Sequence, residues 1–77
     1  MMSDNILEPQ PLDAVMGRLN LSNADLVHAS REQLSFKMVQ KGRKGKPLSL
    51  NIQNKILRAL KAARPEEPVS LQDLFNY

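Results

Sequence analysis

The sequence predicts an all-α protein, a compact bundle of five short helices. Three observations carry that prediction. Apolar residues recur at helical spacing, most clearly at Ile52, Ile56, Ala59, Leu60 and Ala63. Serine stands three residues before Asp or Gln at Ser22/Asp25, Ser30/Gln33 and Ser70/Asp73, the spacing of a helix-initiating capping box. No stretch sustains the two-residue alternation with β-branched side chains that a strand requires.

Each element then follows in order. Residues 1–10 lack an apolar period and contain Pro9, so they read as a flexible N-terminal arm, with residues 11–77 as a single helical domain. Leu12, Val15, Met16 and Leu19 form one stripe, and Pro11 suits a first-turn position, which predicts a helix over 11–19. Ser22 opens a short second helix carrying Leu26, Val27 and Ala29. Ser30 repeats the signal only eight residues later, which demands a tight turn near 28–30 and a third helix over 31–41, ended by Gly42 in a left-handed conformation. The fourth helix starts under Ser49 or Asn51 and stops before Pro65, and Ser70 starts a last short helix with Leu71, Leu74 and Phe75.

Length and composition narrow the function classes. A chain of 77 residues holds one small domain, which buries about 60% of the surface its unfolded form exposes. It has no cysteine, which excludes disulfides and thiolate metal sites and fits a reducing, cytoplasmic setting. No window approaches the roughly 18 apolar residues of a membrane span, and the opening MMSDNILEPQP lacks the order of a secretory signal, so a soluble, unprocessed protein is expected. His28 is the only histidine, and Asp25 and Glu32 are accounted for by helix starts, so no catalytic set, no metal site and no cofactor are expected. The segment GRKGKP has the wrong length for a phosphate-binding P-loop, and no small-molecule substrate is indicated.

Charge is the feature that points outward. The chain carries a net charge of +3, but residues 37–46 alone hold Lys37, Lys41, Arg43, Lys44 and Lys46 with no acid. The other 67 residues hold six cations against eight acids, a net −2. A focused basic patch on a mildly acidic body is the footprint of contact with a polyanion.

Two short helices joined by a turn within such a bundle are the ingredients of a helix-turn-helix unit. Residues 21–43, LSNADLVHASREQLSFKMVQKGR, resemble the λ-repressor and Cro-like helix-turn-helix family, in which a serine and a polar residue open the second helix and the third ends in a charged residue, glycine and basic residues. The resemblance implies a λ-repressor-like fold, double-stranded DNA as partner, and the third helix in the major groove. The segment is one residue shorter than the family spacing, which leaves two registers. In one, Phe36 and Val39 are core; in the other Leu34 and Met38 are core, and Gln33, Lys37, Gln40 and Lys41 form the polar arc. Lys37 and Lys41 face outward in both. Gln33 and Lys37 are therefore the base-contact candidates, a glutamine being able to bond adenine through N6 and N7. The resemblance places Asn23 against a phosphate, and Lys41, Arg43, Lys44 and Lys46 are the other phosphate-contact candidates.

These readings combine into a small sequence-specific transcriptional regulator, acting as a homodimer whose surface involves the C-terminal Leu74, Phe75 and Tyr77. The alternative is a helical protein-interaction module that keeps the fold and binds a protein partner.

Overall fold

Serine caps four of the five helices in the computed structural model of the chain, which describes residues 10–76. Among the described residues the protein is all-helical, with α1 (Pro11–Arg18), α2 (Asn23–Ala29), α3 (Phe36–Lys44), α4 (Leu50–Ala63) and α5 (Leu71–Leu74), and no strand. None of these helices is long and apolar enough to cross a membrane.

Helix α1 has Pro11 in its first turn, where a missing amide hydrogen removes no helical bond. Just beyond its C-cap Leu19 stands Asn20, whose φ of 57° is the left-handed conformation that Asn tolerates better than most residues. Leu21 N then donates to the Met16 carbonyl at 2.8 Å and Asn20 N to Gly17 at 3.1 Å, which satisfies carbonyls the helix would otherwise leave open. Helix α2 starts with the expected capping box. Asp25 N donates to Ser22 Oγ at 3.1 Å, and Ser22 N donates to Asp25 Oδ2 at 2.8 Å. Ser49, rather than Asn51, caps α4 by accepting from Ile52 N, and the Asp73 carboxylate accepts from Ser70 N at the start of α5.

The third helix differs from the sequence expectation at both ends. Ser30 does not cap it; the Ser30 Oγ closes a local turn with the Glu32 backbone amide at 3.1 Å. The chain continues through residues 30–35 before Ser35 accepts from Met38 N at 3.2 Å and the helix begins. Leu34 before the cap and Val39 in the first turns occupy the positions of a hydrophobic staple, and both are buried. Around Ser30 the same two positions are Ala29 and Leu34, a smaller apolar pair, and the larger pair of Leu34 and Val39 favours the later start. At the other end Gly42 is helical. Gly45 takes the left-handed position at φ 96°, with Lys46 N bonded to the Lys41 carbonyl at 3.0 Å. The expected tight turn near 28–30 is thus a six-residue connection.

Two further expectations are corrected here. Gln10, assigned to the flexible arm, is buried and accepts from Asn76 N through Oε1 at 2.9 Å; the rest of that arm lies outside the described residues. Leu74 and Phe75, assigned to a dimer surface, are buried in the core, where a small domain needs every large apolar group it has; Tyr77 lies outside the described residues.

The core joins Leu12 and Met16 of α1, Leu26 of α2, Val39 of α3, Ile56, Ala59 and Leu60 of α4 and Leu74 of α5. Full burial of each leucine contributes about 1.5–3 kcal/mol. Helix α2 packs mainly on α4, while α1 packs on α3 and α5. Polar clamps hold the periphery. Arg58 of α4 grips Glu32 in the connection with Nε and Nη2 at 2.6 and 2.7 Å, and Arg64 reaches back to the Leu19 carbonyl at 3.1 Å. Among the described residues, α3 is held by its inner face, and Phe36, Lys37, Lys41 and Lys44 on its outer face are exposed.

Candidate nucleic-acid interface

The register of α3 decides the character of that outer face. Val39 and Gly42 are buried, Met38 and Arg43 are half-buried, and Phe36, Lys37, Lys41 and Lys44 are exposed. At 3.6 residues per turn, Phe36, Gln40, Lys44, Lys37 and Lys41 fall within an arc of about 140°. Neither sequence register is realised whole: Leu34 is core, as the second requires, but Val39 is core as the first requires. Phe36, expected in the core, is 57% exposed.

Gly42 explains how closely the inner face approaches the bundle. A Cβ at this position would lie 3.0 Å from Leu48 Cδ1, 3.2 Å from Leu12 Cδ2 and 3.4 Å from Phe75 Cε1. The glycine therefore lets α3 sit directly on three core side chains. Beside it, Arg43 turns inward. Its Nε donates to Asp13 Oδ1 at 2.7 Å and its Nη1 to Asn23 Oδ1 at 2.8 Å, while Asn23 Nδ2 donates to Gln40 Oε1 at 2.7 Å. This chain of bonds ties α1, α2 and α3 together through a residue, Asn23, that is 5% exposed.

Asn23 and Arg43 therefore hold the fold, in contrast to the phosphate contacts expected of them. A guanidinium fork matches a carboxylate and an amide oxygen at once, and the buried amide is satisfied at both ends. Gln33 is exposed on the connection before α3, two residues ahead of the cap, rather than on the helix itself. Lys37, Lys41 and Lys44 do share one face, as the basic run suggested, and Lys46 joins them from the loop behind Gly45.

Together Phe36, Lys37, Gln40, Lys41, Lys44 and Lys46 line an open cleft of about 290 Å³. Phe36 is the member that sequence reasoning did not put forward, and Gln40 stood only in the polar arc of one of the two registers. Their signal was present in the Leu34, Ser35 and Val39 staple, which fixes the helix register and turns Phe36 away from the core.

The field of this face is set by where the acids go. Asp13 bonds Arg43, Asp25 bonds Ser22, Glu32 bonds Arg58, Glu67 bonds Arg18 at 3.2 Å, and Asp73 bonds Ser70. The Ser22 backbone amide, followed by its hydroxyl, holds the Asp25 carboxyl below its ordinary range. The Arg58 hydrogen bonds hold Glu32 down in the same way, and the pairing raises Arg58 in return. Three of these carboxylates are paired with arginines and none of the five lines the cleft, which leaves it with a positive potential suited to an anion with repeated charges. The comparisons made with protein-family profiles, curated proteins and solved structures found no match to the chain.

Proposed function

We propose that the protein is a DNA-binding transcriptional regulator that lays α3 into the major groove of double-stranded DNA. The observation that carries this reading is the outer face of α3, where Lys37, Lys41 and Lys44 stand together while the nearby Arg43 is neutralised by Asp13. A helix that is held from one side and basic on the other has the shape and charge for a groove about 12 Å wide. Lys41, Lys44 and Lys46 contact phosphates, and Lys37, one turn nearer the helix start, reaches base edges. One helix of nine residues supplies few base contacts, so the reading includes two copies on half-sites about one DNA turn apart. It does not depend on the six-residue connection between α2 and α3 matching the resembled family, because docking uses the exposed arc rather than the turn.

Binding to mixed-sequence duplex over a salt series tests the proposal. Affinity should fall steeply with salt, and the double variant Lys41→Gln/Lys44→Gln should flatten the log-log slope by about 2. Salt-independent binding, or none at low ionic strength, would remove the reading. It would favour instead a protein-interaction module, for which the exposed Phe36 and Leu50, 57% and 63% accessible, are the supporting observation.

A further inference from the structure

We infer that Phe36 is a specificity-determining residue that reads the C5-methyl group of thymine; the inference rests on the DNA-binding reading above. The outer arc of α3 offers three lysines, one glutamine and one large apolar side chain. Lysines answer phosphates and hydrogen-bonding base edges, and neither gives a benzyl ring anything to pack against. Among the groups that base pairs display in the major groove, the apolar one is the thymine methyl. Phe36 is the first residue of α3, and the N-terminal residues of a groove-bound helix are those that approach the bases.

The placement is enforced from behind. Ser35 caps the helix, and Leu34 and Val39 are buried on either side of it, so the first turn cannot rotate to bury the ring without exposing two core residues. Lys37 and Lys41 lie on one side of the ring around the helix, and the phosphate contact of Lys41 sets its depth in the groove. Gln40, one turn on from Phe36, has its Oε1 held by Asn23 and stiffens the same wall of the cleft. Contact with one methyl removes about the apolar surface of a methylene from water, which corresponds to roughly a fourfold change in affinity.

The test starts from duplexes selected by the wild-type protein out of a random pool, with each thymine replaced in turn by deoxyuridine, a change that deletes the methyl alone. At one thymine or more the wild type should lose about fourfold in affinity, and Phe36→Ala, whose helix content is checked by circular dichroism, should lose nothing further there. Equal sensitivity of wild type and Phe36→Ala at every thymine overturns the inference, as does complete insensitivity of the wild type. A larger effect of Phe36→Ala on single-stranded oligothymidine than on duplex also overturns it, because the ring would then stack on an exposed base. Salt-sensitive duplex binding in those cases leaves the DNA-binding reading standing, whereas its absence removes both.

Discussion

Arg43 and Lys44 are neighbours on one helix and carry the same charge, yet the structure uses them in opposite ways. Arg43 points into the bundle and bonds Asp13 and Asn23, while Lys44 stands in solvent on the lysine face. The difference follows from helix geometry and from donor shape. A step of one residue turns the side chain by about 100°, enough to cross from the inner face to the outer one. The planar fork of arginine satisfies two oxygens on two different helices, which a single ammonium would do less well. Local charge density thus overstates the basic patch by one cation and understates the rigidity behind it.

The contrast can be broken most severely from the inside. Gly42→Leu forces a side chain against Leu48, Leu12 and Phe75, which already stand within 3.4 Å of where its Cβ would be. Thermal or urea unfolding should show a loss of about 3 kcal/mol, the upper part of the usual overpacking range. Asn23→Ala removes the shared partner of Arg43 and Gln40 and should cost about 2 kcal/mol by the same measurement, since two polar groups lose their bonds near the core. An unchanged midpoint would mean that the network is not what holds α3 in place.

A crossed pair sharpens the comparison. Arg43→Gln should destabilise the fold and leave the salt slope of DNA binding nearly intact. Lys44→Gln should leave stability within about 0.5 kcal/mol and flatten that slope by about 0.9. If both variants change the slope equally, the inner and outer roles assigned to these residues are wrong.

The smallest effect concerns acid. Asp25 is held below its ordinary value of 3.8 and Glu32 below 4.5, so the folded state binds these protons more weakly than the unfolded chain. Their contribution is complete above the unfolded values and disappears as the pH falls through the lower, folded ones. Unfolding followed between pH 6 and 2 should therefore show stability declining below about pH 4.5, with Asp25→Asn flattening the lower part of that decline.

Legibility in the chain tracked how local each cause was. The Ser22/Asp25 box and the fourth helix were visible because every partner lies within one or two turns. For α3 the nearest serine was misleading, since Ser30 has Gln33 at capping-box spacing and Ser35 has only Met38 there. The choice fell to burial of Leu34 and Val39. Phe36 was misplaced for the same reason: large apolar residues are usually buried, and five residues of register separate the expected helix start from the real one.

From the residues alone came the helical class, the absence of cysteine, the central helix and the concentration of cations in residues 37–46. These depend on composition and on spacing of four residues or fewer. Which cations face outward was decided only in the folded chain, because the partner of Arg43 is Asp13, 30 residues away, and Asn23 is 20 residues away. Packing of α3 on α1 through Gly42 brings those groups within bonding distance, and the same packing leaves Phe36 and the lysines exposed among the described residues.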